Sequence, residues 1–211
     1  MSAAIPENLA PEEIERRSFE RISAELGDID LPPENLSVLK RVIHTTADFD
    51  YARNLRFSDA AVAIGIAALR RGAAIVTDTT MAKAGINKAT CDKLGCEATC
   101  HIGDADVARD AKAQGITRSR AAVDKAAHLW NNGIFVVGNA PTALIRLYEH
   151  LKEGRFKPAL VIGVPVGFVH VVESKELIWS CDVPQIVAFG RKGGSTVAAA
   201  IVNALLYQAI A

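Results

Sequence analysis

Apolar residues gather in five short, near-continuous runs, at 73–77, 96–102, 134–138, 160–165 and 185–189. Unbroken hydrophobicity, without strict alternation, marks strands covered on both faces, as in a parallel sheet. Segments of helical period separate them. Residues 59–71 are alanine-rich, follow Ser58 as a candidate N-cap and stop at Gly72. Residues 104–114 stop at Gly115, and 119–130 stop near Gly133. Pro141 opens and Gly154 closes the segment 141–153, the asymmetry expected of a helix. Residues 195–210 form a last helix, and 11–26 and 33–47 predict two more before the first strand. The pattern predicts a doubly wound α/β fold in three α/β/α layers around a largely parallel five-stranded sheet, with an N-terminal helical extension. No repeat, low-complexity tract or linker divides it, so residues 1–211 are expected to form a single domain.

Composition narrows the partners. The chain has 211 residues, 50% hydrophobic and 23% charged, enough for a sizeable core. Lys plus Arg and Asp plus Glu are equal at 24 each. This balance argues against a nucleic-acid or membrane-surface binder, which carries a basic excess, but leaves room for arginines aimed at an acidic small molecule. Met1-Ser2-Ala3-Ala4-Ile5-Pro6 does not read as a secretory leader, and no apolar run approaches the roughly 20 residues of a membrane span. A cytoplasmic location is the expectation.

Cys91, Cys96, Cys100 and Cys181 raise the question of a metal. On a strand, Cys96 and Cys100 would stand roughly 13 Å apart, too far to share one ion. They are expected to be small buried thiols, with no metal site.

In an open α/β sheet, ligands sit beyond the carboxyl ends of the strands. Those ends here run into Thr77-Asp78-Thr79-Thr80-Met81, Gly138-Asn139-Ala140-Pro141-Thr142, Pro165-Val166-Gly167-Phe168-Val169 and Gly190-Arg191-Lys192-Gly193-Gly194-Ser195-Thr196. Several are rich in small residues and open onto helices, whose free N–H groups suit carboxylate or phosphate. Arg191 and Lys192 add cations at one such end, and Arg118-Ser119-Arg120 at another. Several anion-receptive loops on one edge point to a ligand with multiple acidic groups. No dinucleotide fingerprint or phosphate loop is present, and Gly103-Asp104-Ala105-Asp106 carries acids better suited to capping a helix. Asp78 is open to two uses, orienting a ligand or capping a turn. Glu173-Ser174-Lys175 is expected to form a charge pair at a helix start. His128 and His150 suit packing or surface roles, and His170 could approach a ligand.

The richest stretch is Arg41-Val42-Ile43-His44-Thr45-Thr46-Ala47-Asp48-Phe49-Asp50-Tyr51. Arg41 and His44 lie three residues apart and so share a helix face. Imidazole is the side chain best suited to move protons near neutrality.

The chain resembles the precorrin-8X methylmutase family, and within it the cobalt-precorrin-8 branch. The resemblance rests on Arg17-Ser18-Phe19, Arg41-Val42-Ile43-His44, Thr117-Arg118-Ser119, Gly138-Asn139-Ala140-Pro141-Thr142-Ala143-Leu144, Gly163-Val164-Pro165-Val166-Gly167-Phe168-Val169, Glu173-Ser174-Lys175 and Gly193-Gly194-Ser195. Singly modest, these motifs are specific together and in order. Residues 45–51 carry the likeness to the cobalt branch.

The resemblance implies a flavodoxin-like core, a homodimer and an isomerase of cobalamin biosynthesis. That enzyme shifts a methyl group from C11 to C12 of cobalt-precorrin-8, a tetrapyrrole, to give cobyrinate. His44 would be the proton donor and acceptor, and Ser18 and Arg41 substrate-binding positions. Arg17, Asp78, Met81, Arg118, Asn139, Gly167, Arg191 and Ser195 join them as candidate binding residues. A cation at Arg41 works against protonation of His44 unless a substrate carboxylate lies between. The shift is intramolecular and implies no cofactor. The alternatives are a methylmutase for the metal-free precorrin-8X giving hydrogenobyrinate, a corrinoid carrier without catalysis, and a phosphate or nucleotide binder.

Overall fold

The computed structural model describes residues 9–154 and 156–211. Met1–Pro6, on which the expectation of no leader rests, lies outside the described residues. In chain order the elements are α1 (Pro11–Leu26), α2 (Pro33–Thr46), α3 (Tyr51–Asn54), β1 (Leu55–Phe57), α4 (Ala61–Arg70), β2 (Ile75–Thr77), α5 (Thr80–Gly85), α6 (Lys88–Leu94) and β3 (Ala98–Thr99). There follow α7 (Ala105–Gln114), α8 (Arg118–Leu129), β4 (Ile134–Val137), α9 (Pro141–Lys152), β5 (Leu160–Gly163), α10 (Val171–Trp179), β6 (Gln185–Ala188) and α11 (Ser195–Ile210).

The sheet has six strands in the order β1-β6-β5-β4-β2-β3, one more than the sequence pattern predicts. β1 is the addition. It is three residues long and pairs antiparallel with β6, Leu55 opposite Ala188 and Phe57 opposite Ile186. Its middle residue, Arg56, is exposed, so it carries no apolar run. The other pairings are all parallel. Counted among themselves, the parallel strands run 2-1-3-4-5, the flavodoxin order, which reverses direction between β2 and β4.

Alternate strand residues face opposite layers. Ile75, Ile134, Val136, Leu160, Ile162 and Ile186 join the core formed with α2, α4 and α11. Val76, Phe135, Val137, Val161 and Val187 join the core under α8, α9 and α10. α11 packs against α2, α4 and α5 as well as the sheet. It is accordingly apolar almost all round, as a helix enclosed on every side must be.

Three local expectations are corrected. Ser58 does not cap a helix: its Oγ accepts from the Gln185 N–H at 2.8 Å, and α4 starts after Ala60, which has a left-handed backbone. The 96–102 run shrinks to a two-residue strand. Gly95 ends α6 in a left-handed turn, and the Cys96 N–H closes it by donating to the Cys91 carbonyl, which holds Cys96 out of the strand. Cys91 and Cys96 are buried, whereas Cys100 and Cys181 are only partly covered.

Candidate active site

His44 sits in the last turn of α2 and is exposed. Its ring stacks on Phe19 of α1, with centroids 5.1 Å apart and planes 10° from parallel. Neither ring nitrogen bonds to a described residue. The Arg41 guanidinium lies 4.7 Å from the centroid of the same phenyl ring and 5.2 Å from that of Tyr207. It also donates to the Glu15 carboxylate at 2.6 Å. Arg41 and His44 thus share a helix face and an aromatic neighbour, while the charge of Arg41 is answered by an acid on α1.

α2 delivers His44 to the carboxyl edge of the sheet. β1 runs antiparallel to β6, so the segment entering β1 lies where β6 ends, and the Phe189 N–H donates to the Asn54 carbonyl. Just past His44, Asp48 and Asp50 each take a hydrogen bond from Lys192 Nζ at 2.6 Å. Lys192 holds the Asp48 carboxyl below its usual range, and the two acids raise the lysine in turn. The end of the histidine helix is therefore tied to the loop after β6.

Four loops meet along this edge. Ser195 Oγ, at the start of α11, hydrogen-bonds Thr79 Oγ1 at 2.8 Å. Gly167 has φ 143°, open to glycine but strained for other residues, and its N–H donates to the Arg191 carbonyl. The Arg191 guanidinium lies 5.6 Å from the Phe168 ring centroid. Phe168 is 85% exposed, Val169 71% and Met81 67%, an apolar rim beside cations at the end of the sheet. Asn139 and Arg118 are exposed on neighbouring loops, joined by the Thr117–Thr142 hydroxyl contact at 3.1 Å. Apolar surface edged with guanidinium suits a flat conjugated ligand carrying carboxylates.

Other candidates stand apart. Ser18 Oγ donates back to the Ile14 carbonyl within α1, and Arg17 pairs with Glu13 one turn away. Both lie on α1, beside Phe19 but off the edge loops.

Asp78 has a different task from ligand binding. It is buried, and its carboxylate accepts the backbone N–H groups of Gly138, Asn139 and Ala140, each at 2.8 Å. Burial pushes its pKa up against the pull of those donors. These N–H groups belong to the turn leading into α9, at the reversal of strand order where such folds take anions. The chain's own carboxylate occupies that seat, and the void beside it is about 20 Å³.

Glu173-Ser174-Lys175 makes no charge pair among the described residues. Lys175 is fully buried, and its Nζ donates to the carbonyls of Gly190 at 2.8 Å and Lys192 at 2.9 Å. Burial lowers it to about 8. Asp104 stands at the N-cap of α7, but its carboxylate bonds His101 and Lys125 without capping the helix. No group of His, Cys, Asp or Glu among the described residues is arranged to hold a metal. His150 is buried against Asp124 at 2.6 Å, and His128 is exposed. His170 is exposed with φ 58° just before α10. Sequence reasoning missed the roles of Phe19, Glu15, Lys175 and Lys192; an aromatic in the Arg17-Ser18-Phe19 motif and a lysine inside an apolar helix were the available signals.

The fold is that of a flavodoxin-like α/β protein whose switch-point turn is filled by its own carboxylate, with an exposed histidine at the same edge. The family model described as precorrin-8X methylmutase matches residues 13–208. The chain is 50% identical over 204 residues to the cobalt-precorrin-8 methylmutase of Salmonella typhimurium, covering 94% of this chain and 95% of that protein. It is 44% identical over 200 residues to the protein of the same name from Priestia megaterium, covering 95% and 89%. A crystal structure of precorrin-8X methylmutase from Thermus thermophilus superposes with a TM-score of 0.87 at 39% identity, covering 93% of this chain and 97% of that one. The chain belongs to the precorrin-8X methylmutase family.

Proposed function

We propose that this protein is an isomerase that moves a methyl group from C11 to C12 of cobalt-precorrin-8, giving cobyrinate in cobalamin biosynthesis, with His44 as the group that lends and recovers a proton. The observation that carries this is the His44 ring itself: exposed at the carboxyl edge, held flat against Phe19, with neither nitrogen bonded to a described residue.

Protonation of the conjugated macrocycle by the imidazole withdraws electrons from the migration terminus. The methyl group then crosses suprafacially, its bond to C11 breaking as its bond to C12 forms, and the proton returns to His44. Atoms and electrons balance within substrate and imidazole, and cobalt belongs to the substrate. General acid–base assistance of this kind contributes roughly 10²–10⁴-fold. In this reading Arg191 and Arg118 take acetate and propionate arms, and Asn139 and the Gly167 and Ser195 loops shape the edge. Met81, Phe168 and Val169 give the ring an apolar surface. Arg41, Ser18 and Arg17 reach the ligand from the α1–α2 side, Arg41 exchanging Glu15 for a substrate carboxylate.

The resemblance to the family also supports a homodimer, which the oligomeric state in solution tests. The enzyme acts as a single domain in the cytoplasm; no helix among the described residues is long and apolar enough to cross a membrane.

The test is the absorbance change on mixing purified protein with cobalt-precorrin-8 and, separately, with metal-free precorrin-8X. Conversion of the cobalt substrate at the higher kcat/KM is expected. Preference for the metal-free substrate moves the protein to the other branch, and tight binding of both without isomerisation makes it a carrier.

A further inference from the structure

The loop 190–194, which follows β6 and leads into α11, has three glycines among its five residues. Such a segment has little intrinsic order. Yet it presents Arg191 toward Phe168 and Lys192 toward Asp48 and Asp50. Its backbone is pinned in alternation. The carbonyls of Gly190 and Lys192 turn inward to Lys175 Nζ, and the intervening Arg191 carbonyl accepts the Gly167 N–H. The Gly194 N–H donates to the Val164 carbonyl. Gly193 is pressed so close that an added Cβ would lie 2.2 Å from the Val164 carbonyl oxygen and 2.7 Å from that of Pro165.

Lys175 is the buried anchor of this arrangement. A lysine buried without an anion is costly unless its protons are taken up. Here the acceptors are two backbone carbonyls of one loop and no carboxylate. We propose that Lys175 is a positioning residue that sets substrate affinity by clamping the 190–194 loop from beneath, so that Arg191 faces a carboxylate arm of the tetrapyrrole. The inference rests on the corrinoid reading above. It separates two roles at the edge: His44 acts on the reacting ring, whereas Lys175 reaches the substrate only through the loop.

The variants are Lys175→Met, which keeps length and removes all donors, and Lys175→Gln, which keeps two N–H donors on a shorter stem. Ile178→Ala, on the same helix and fully buried, reports simple destabilisation. Lys175→Met is expected to raise KM about tenfold with kcat within about threefold, and Lys175→Gln to recover part of the loss. Ile178→Ala is expected to lower Tm with KM unchanged. Should Lys175→Met not fold, Gly193→Ala displaces the same loop from its other side and is expected to raise KM in the same way. Amide hydrogen exchange over 190–194 is expected to quicken in Lys175→Met. The proposal is overturned if KM stays within twofold of wild type in the folded variant, if Ile178→Ala raises KM equally, if Gly193→Ala leaves KM unchanged, or if loop exchange is as slow as in wild type. Wild-type protein inert toward both corrinoids defeats the functional reading instead, and the exchange experiment still decides the clamp.

Discussion

The Phe19 ring lies flat on the His44 imidazole, 5.1 Å between centroids, so an aromatic residue on α1 orients the histidine that ends α2. Histidines that shuttle protons are commonly oriented by a hydrogen bond to one ring nitrogen. At His44 a stack fixes the plane of the ring, and neither nitrogen bonds to a described residue. Phe19→Leu is expected to lower kcat about tenfold with a smaller change in affinity, and Phe19→Tyr to restore most of it. Steady-state kinetics of the pair decides; a Leu variant as fast as wild type removes the orienting role.

His44→Ala is expected to bind tetrapyrrole and fail to isomerise it. Spectral titration alongside a turnover assay separates the two. Full turnover in this variant would falsify the proton-transfer role.

Arg41→Ala removes the partner of Glu15 and the cation above Phe19. Weaker substrate binding is the expected result, with KM rising about tenfold and kcat less affected. Unchanged affinity and rate place this guanidinium outside the site.

Lys192 ties Asp48 and Asp50 to the 190–194 loop, and the Asp48 carboxyl is held below its ordinary value chiefly by the Lys192 hydrogen bond. A carboxyl depressed in the folded state adds stability that is present above the unfolded pKa and fades as pH falls through the lower folded value. The Asp48 contribution to the tether therefore persists at neutral pH and fades in acid, below the ordinary aspartate range. In Lys192→Met, NMR titration of Asp48 is expected to move up toward that ordinary value. An unmoved titration curve contradicts the pairing.

Gly138 leaves no room for a side chain: an added Cβ would lie 2.9 Å from the Ala198 Cβ and the Ser195 Cα, and 3.1 Å from the Gly194 carbonyl oxygen. Gly138→Ala is expected to destabilise the fold by about 1–3 kcal/mol, the usual range for overpacking, and to push the Asn139 and Ser195 loops apart. Denaturant unfolding measures the first effect and KM the second.

The parallel strands and long helices were legible because burial on both faces leaves unbroken apolar runs and glycine marks the helix ends. β1 escaped because Leu55-Arg56-Phe57 is defined by pairing with β6, a long-range relation with no local pattern. The short α5 and α6 escaped for a similar reason, being too brief to show a period. At the site, the edge loops could be placed from strand order and His44 singled out by residue type, but the place of His44 at that edge depends on the β1–β6 pairing that the pattern does not show. The partners of charged groups could not: Asp78 is open to a ligand or a turn and Lys175 suggests a local charge pair, yet each bonds backbone groups of another segment. Residue type reveals that a charge exists; only the fold decides which dipoles answer it.

In the flavodoxin arrangement, the turn into the helix after the third parallel strand is a natural berth for a nucleotide's phosphate. Asp78 stoppers that berth from inside, with a carboxylate that repels any phosphate approaching it. The N–H groups of Gly138, Asn139 and Ala140 are thereby already spent on the chain's own acid, and an anionic ligand has to find its donors elsewhere along the edge.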